Sequence, residues 1–161
     1  MVDYATLRQR MVDNQIRTSA VTDRDVIQAF LTVPREVFVA EDEKPFAYAD
    51  RELRMSAAAP ERRMMAPAQL ARLLQALPLG AKAKALVVGC GSGFSAALLT
   101  HLAGSVVALE DDKGLAAISR GRLAELGPAN VIVVEGKLTA GWPAEAPYDA
   151  ILIDGAVEDV P

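Results

Sequence analysis

Three glycines, Gly89, Gly91 and Gly93, punctuate an apolar run over residues 85–110, ALVVGCGSGFSAALLTHLAGSVVALE, that ends on the carboxylate of Glu110. A turn free of Cβ atoms lets backbone approach a ligand closely, and a helix that begins there directs its free N–H groups at the same point. A carboxylate at the tip of the neighbouring strand can accept hydrogen bonds from both hydroxyls of a ribose. These residue types at this spacing predict a site for a nucleoside-bearing cofactor, built from Gly89, Cys90, Gly91, Gly93 and Glu110. Two plainer readings compete. Residues 85–109 hold no charged side chain, as a membrane span would. Against a span stand the glycines, the polar Ser92, Ser95, Thr100 and His101, and a period that changes from strand-like to helical and back. The second is a tight turn with no ligand, which the glycine spacing and the distant acid disfavour.

The spacing also separates cofactors. A dinucleotide fingerprint, G-x-G-x-x-G, needs its third glycine at position 94, where Phe94 stands, and the G-K-[ST] of a phosphate-binding loop is absent. The pattern present, G-x-G-x-G, is the one seen in Rossmann-like S-adenosylmethionine-dependent methyltransferases. That cofactor has no pyrophosphate, so the loop would cradle its amino-acid tail and ribose. Asp154, closing the apolar run AILI, is placed at a carboxyl edge where α/β ligands bind. It is a candidate catalytic group, a partner of Glu158 or Asp159 in a divalent-cation site, or a cap or turn residue. His101 has no evident partner, Cys90 reads as a small residue of the turn, and Trp142 as a packing or edge-covering residue.

The elements needed to position these groups are legible from periodicity. Thr22 or Asp23 caps a helix with Val26, Ile27, Phe30 and Leu31 on one face, and Pro34 ends it and opens a short turn through Phe38. Pro67 opens another helix, with Leu70, Leu73, Leu74 and Leu77 at helical spacing, closed by Pro78 and Gly80. Strand and helix then alternate: strands at 85–88, 106–109, 131–134 and 150–153, helices near 92–102 and 114–126. This predicts a parallel sheet with right-handed crossovers. The chain divides near residue 80 into a helical N-terminal lead-in (1–80) packing on the sheet and a Rossmann-like cofactor-binding half (81–161).

With 161 residues and 52% apolar content the chain can bury a substantial core. A net charge of −4 with mixed signs provides no basic footprint for nucleic acid. One cysteine permits no internal disulfide and fits a reducing compartment, and the opening MVDYATLRQRMVD lacks a signal peptide's apolar core. A cytoplasmic chain without membrane association is the expectation.

The segment MVDNQIRTSAVTDRDVIQAFLTVPREVFVAEDEKPFAYADREL resembles the N-terminal part of the protein-L-isoaspartate O-methyltransferase family, through its VPREVFV turn (33–39) and AYAD segment (47–50). NVIVVEGKLTAGWPAEAPYDAILIDGAVEDVP is similar to that family's later strands, so the likeness covers essentially the whole chain. The resemblance implies an α/β Rossmann-like fold and S-adenosylmethionine as cofactor. It further implies methyl transfer to the α-carboxylate of isoaspartyl residues in damaged proteins or peptides, a repair reaction. An ionised carboxylate needs no general base, so positioning and desolvation would supply the catalysis.

Against the family pattern, several positions depart. The family's T-I-S-x-P segment becomes Arg63, Met64, Met65, Ala66 and Pro67, which removes both hydroxyls and leaves Arg63 as a candidate bidentate clamp for the acceptor carboxylate. Alternatively Arg62 and Arg63 lie on a solvated loop while Met64 and Met65 pack inward. The acid that precedes the first glycine by two residues is here Val87, and the family's Gly-Asp pair at the adenine is Gly136–Lys137, with Glu135 available as a substitute. Each lost charged hydrogen bond costs about 1.5–3 kcal/mol. The chain stops just after the fourth strand of the alternation, where the family continues. This predicts an incomplete sheet with an apolar edge at 150–153, from truncation or covered by a dimer contact. Two other functions stay open: a methyltransferase for a small carboxylate or hydroxyl substrate, and a non-catalytic relative that binds cofactor or a partner.

Overall fold

The computed structural model describes residues 1–160. The lead-in begins with α1 (Tyr4–Met11), continues through a π turn over Val12–Ile16 and a 3₁₀ turn over Arg17–Ser19, and stops where Ala20 adopts a left-handed conformation. Helix α2 (Arg24–Thr32) is capped by Asp23, whose carboxylate accepts the N–H groups of Asp25 (2.9 Å) and Val26 (3.1 Å). The residue before a proline is driven to extended backbone, so Val33 leaves the helix ahead of Pro34. Short 3₁₀ turns follow at Arg35–Val37 and Glu41–Phe46.

The sequence pattern carries no sign of the hairpin that follows. Strands β1 (Leu53–Arg54) and β2 (Arg63–Met64) pair antiparallel, with Leu53 opposite Met64 and Arg54 opposite Arg63. Two-residue strands leave no alternation to read. Helix α3 (Pro67–Ala76) starts on Pro67 as expected. Its buried stripe is Leu70, Ala71 and Leu74, and Leu73 falls on the flank at 41% exposure, which corrects its placement in the core face.

The alternation then follows the expected order: β3 (Lys84–Val88), α4 (Phe94–Thr100), β4 (Ser105–Glu110), α5 (Lys113–Leu126), β5 (Val131–Glu135) and β6 (Ala150–Ile153). Helix α4 is shorter than the pattern implied, because Gly91 and Gly93 have positive φ and the helix cannot start before Phe94. Asp112 caps α5 by accepting the Leu115 N–H at 2.8 Å, and Gly127 ends it in a left-handed conformation.

The four strands β3 to β6 form one parallel sheet in the order β5-β4-β3-β6. The chain runs outward from β3 to β5, then returns to the other side of β3 for β6. The sheet order therefore reverses beside β3, and in open α/β sheets ligands bind outside the carboxyl ends of strands at such a reversal. One sheet face, with Ala85, Val87, Val106, Ala108 and Leu152, packs on the lead-in and on α4 and α5 in the main core. The other carries the cross-strand row Ile132, Val107, Leu86 and Ile151. Trp142, Leu138 and Tyr148 cover its centre, and Ile132 and Ile151 stay 46% and 53% exposed at the edges. No helix among the described residues is long and apolar enough to cross a membrane.

Candidate functional site

The glycine turn, Glu110 and Asp154 meet at this reversal. Gly89 follows β3, Glu110 closes β4, and Asp154 follows β6 with its N–H donating to the Val88 carbonyl at 2.9 Å. Gly89 and Asp154 border a cavity of about 570 Å³, also lined by Arg62, Arg63 and Asp111, and Glu110 is buried behind Arg62.

The turn itself is not a bare cradle of amides. The N–H groups of Gly89 and Cys90 donate to the Leu109 carbonyl, that of Gly91 to Glu110 Oε2, and that of Gly93 to the Cys90 carbonyl. The Ser92 N–H points at Met55 Sδ at 3.4 Å. All five amides of the turn are thus engaged within the protein, so the turn itself presents no free N–H to a phosphate. A Cβ on Gly91 would lie 2.1 Å from Met55 Sδ, and one on Gly93 would lie 2.6 Å from Ser119 Oγ, so these two glycines serve close packing. At Gly89 the neighbours stand off at 3.6 Å or more, and they are cavity residues: Leu138, Arg62 and Asp154. Cys90 is buried, and burial pushes its thiol up to about 12, so it is no nucleophile.

Glu110 is wholly buried and accepts five hydrogen bonds. Three come from the N–H groups of Gly91 (2.7 Å), Asp111 (3.1 Å) and Asp112 (3.1 Å). The other two are bidentate: Arg62 Nη1 to Oε1 at 2.9 Å and Nη2 to Oε2 at 2.8 Å. Burial by itself raises the carboxyl's pKa, but the Arg62 guanidinium and the backbone N–H groups outweigh it and hold the pKa below the ordinary value. Arg62 is therefore not on a solvated loop. Its side chain is 28% exposed, and Asp111 stands a further 3.5 Å from Nη1. Arg63 is exposed on β2 and faces the same cavity, while Met64 and Met65 are buried.

The Asp154 carboxyl is a second buried acid. One oxygen accepts the Ser95 hydroxyl, and Oδ1 is buried without a partner. Burial pushes its pKa up to about 6, opposed by the Ser95 hydrogen bond. Glu158 and Asp159, its candidate cation partners, are exposed, and no cluster of three or more metal-binding side chains occurs among the described residues.

The adenine-side candidates, next to Glu110 across β4 and β5, do not line the cavity. Gly136 donates its N–H to the Glu110 carbonyl at 3.1 Å and lies under Trp142, whose ring would be 3.2 Å from a Cβ there. Lys137 is exposed and does not border the cavity. Glu135, opposite Glu110 in the sheet, is held by Arg120 at 2.7 Å, and His101 is exposed.

Two residues of the site, Arg62 and Arg35, have no signal in the local sequence pattern. Arg62 was visible only as half of a basic pair. Arg35, within the VPREVFV turn, is fully buried, donates to the carbonyls of Ala47 (2.9 Å) and Met65 (2.8 Å), and lies 5.0 Å from the Phe94 ring centre. It ties the chain just after β2 to the lead-in. Burial lowers its pKa to about 10, still far above neutrality.

Residues 6–161 match the family model described as protein-L-isoaspartate(D-aspartate) O-methyltransferase. A protein named protein-L-isoaspartate O-methyltransferase 2 from Geotalea uraniireducens (strain Rf4) is 40% identical over all of this chain and 73% of its own length. One of the same name from Anaeromyxobacter sp. (strain Fw109-5) is 40% identical over 97% of this chain and 63% of its own length. A solved protein-L-isoaspartate O-methyltransferase superposes with a TM-score of 0.86 at 28% identity, over 96% of this chain and 50% of that one. A Plasmodium falciparum structure in complex with S-adenosyl-L-homocysteine shares the fold, with a TM-score of 0.75 at 20% identity over 100% of this chain and 77% of its own. The chain thus spans 63% to 73% of these bacterial relatives and half of the first solved structure.

Proposed function

Because this chain belongs to the protein-L-isoaspartate O-methyltransferase family, we propose that it forms the cofactor-binding part of an S-adenosylmethionine-dependent O-methyltransferase. The acceptor is the α-carboxylate of an isoaspartyl residue in a damaged protein. The observation that carries this reading is Glu110: a buried, ionised carboxylate at the carboxyl end of β4, held by three backbone N–H groups beside the glycine turn and the reversal of strand order. A turn whose amides are already engaged suits a cofactor without a pyrophosphate. The residues fit such a group once Arg62 has left Glu110.

When bound, S-adenosylmethionine supplies an electrophilic methyl carbon on a sulfonium, which leaves as S-adenosylhomocysteine when a carboxylate oxygen becomes a methyl ester. In this assignment Glu110 accepts the ribose hydroxyls, Gly89 lets the cofactor approach the turn, and Asp154 presents a carboxyl beside it. Arg63, exposed on the cavity wall, meets the acceptor carboxylate. Arg35 positions the backbone at Met65, the position of the family's lost serine hydroxyl. Protein repair is the corresponding role, and the lone buried Cys90 suits a reducing, cytoplasmic setting.

Calorimetric titration with S-adenosylhomocysteine tests the reading, with transfer of labelled methyl to an isoaspartyl peptide as the second measurement. Binding is expected, weakened at least about tenfold in Glu110→Ala by loss of charged hydrogen bonds. An affinity unchanged by that substitution would remove the ribose assignment. Labelling of a small carboxylate or hydroxyl compound in place of the peptide would move the acceptor, and absence of any binding heat would leave a non-catalytic partner-binding relative.

A further inference from the structure

Arg62 occupies both oxygens of the carboxylate assigned above to the ribose. With Asp111, Asp112 and Gly91 also donating, Glu110 has five donors on two oxygens, and no lone pair remains well placed for a sugar hydroxyl. The planar guanidinium fork presents two N–H donors side by side, and a vicinal ribose diol presents two O–H donors in the same relation. We propose that Arg62 is a displaceable stand-in for the ribose diol, so that a nucleoside ligand enters by taking Glu110 from it. This rests on the cofactor reading given above.

Three observations support an exchange rather than a permanent strut. Arg62 reaches Glu110 from the loop between two strands of two residues each, and its guanidinium is bound, among the described residues, only to Glu110 and Asp111 while the hairpin is anchored elsewhere, by Leu53, Met55 and Met64 in the core. Its side chain is 28% exposed, so the guanidinium is partly hydrated and its release does not create an unpaired buried cation. Asp111, with 51% of its side chain exposed, is already 3.5 Å from Nη1 and can keep the charge paired after release. On the other side, Glu110 keeps three backbone N–H donors when Arg62 leaves, so the carboxylate stays hydrogen-bonded and oriented.

The hairpin makes the exchange consequential. It carries Met55, whose sulfur covers Gly91 and Ser92, and leads through Arg63 to Met65, the stretch aligned with the family's acceptor-binding segment. Nucleoside entry at Glu110 thus acts directly on the chain that faces the acceptor, and the guanidinium released is next to the cavity that would receive an anionic acceptor.

Calorimetry with S-adenosylhomocysteine and its 2′,3′-dideoxy analogue, on the wild-type chain and on Arg62→Gln, tests the exchange. A ligand that must wait for a minor open state loses apparent affinity by the fraction open, so Arg62→Gln is expected to bind S-adenosylhomocysteine about tenfold more tightly. The dideoxy analogue, which cannot claim Glu110, should bind both proteins alike. Arg62→Lys, which keeps the charge but loses the fork, should fall between them. Raising ionic strength, which screens a partly exposed pair, should strengthen wild-type binding and leave Arg62→Gln unchanged. Equal or weaker binding of S-adenosylhomocysteine by Arg62→Gln, with both variants folded by circular dichroism, overturns the exchange and leaves the cofactor reading standing. Absence of binding by wild type and variants alike overturns both.

Discussion

Replacing Glu110 by glutamine tests the electrostatic account of the site without altering its shape. The carboxylate is fully buried and accepts hydrogen bonds at 2.7 to 3.1 Å from Arg62 and three backbone N–H groups. A glutamine has one acceptor oxygen and one NH₂, so whichever way it turns, an N–H meets N–H donors on one side. Each hydrogen bond to a charged group contributes about 1.5–3 kcal/mol, and breaking a buried ion pair costs about 3–5 kcal/mol. Arg62 can turn to water and to Asp111, which places the loss at the lower end, about 3 kcal/mol. For a domain of this size each kcal/mol moves Tm by about 2–4 °C, so differential scanning calorimetry at neutral pH should show a drop of about 6–12 °C. The pH dependence has a definite sign. The folded-state pKa of Glu110 is lowered, so its stabilisation is present above the unfolded value and is lost as pH falls through the folded one. The gap between wild type and variant should therefore close in acid. A Tm change under about 2 °C at neutral pH would show that the Arg62–Glu110 pair contributes little and would refute the reasoning.

Two further substitutions probe the neighbouring groups. Gly91→Ala forces a Cβ to within 2.1 Å of the buried Met55 sulfur at a φ of +57°, and should destabilise by about 2–4 kcal/mol, read as a lower urea midpoint. An unchanged midpoint would mean that Met55 repacks freely. Asp154→Asn should stabilise near neutrality: the folded carboxyl titrates at about 6 against an ordinary 3.8, so wild-type stability declines as pH rises across that window. The variant's advantage should grow by up to about 3 kcal/mol between pH 4 and pH 7, and a flat difference would show that burial does not perturb this acid.

Much of the architecture was legible because it is encoded over short stretches. The strands at 85–88, 106–109, 131–134 and 150–153 were expected within about a residue of β3 to β6, since buried parallel strands read as apolar runs between turn residues. The capping of α2 by Asp23 and the start of α3 at Pro67 follow from local chemistry. Errors arose where a residue's neighbours come from far along the chain. Leu73 satisfied the helical period but lies on the flank, because the position of the core relative to α3 is set by α2 and the lead-in. The engagement of the turn's amides by Leu109, Glu110 and Met55 likewise has no trace in the local pattern, since those acceptors come from elsewhere in the chain.

The sequence by itself determined the βαβ order, the family likeness, and the placing of a carboxylate, Glu110, at a strand end beyond a glycine turn. Each depends on period or spacing between near neighbours along the chain, where a few bonds limit the geometry. Only the tertiary structure decided what that carboxylate touches. Arg62 lies 48 residues before Glu110 on a hairpin too short to leave a periodic trace, and nothing local distinguishes it from the exposed Arg63 beside it. Packing of the hairpin's Met55 on the glycine turn brings one arginine to the buried acid and leaves the next in the cavity, so the partner that guards the site follows from the fold.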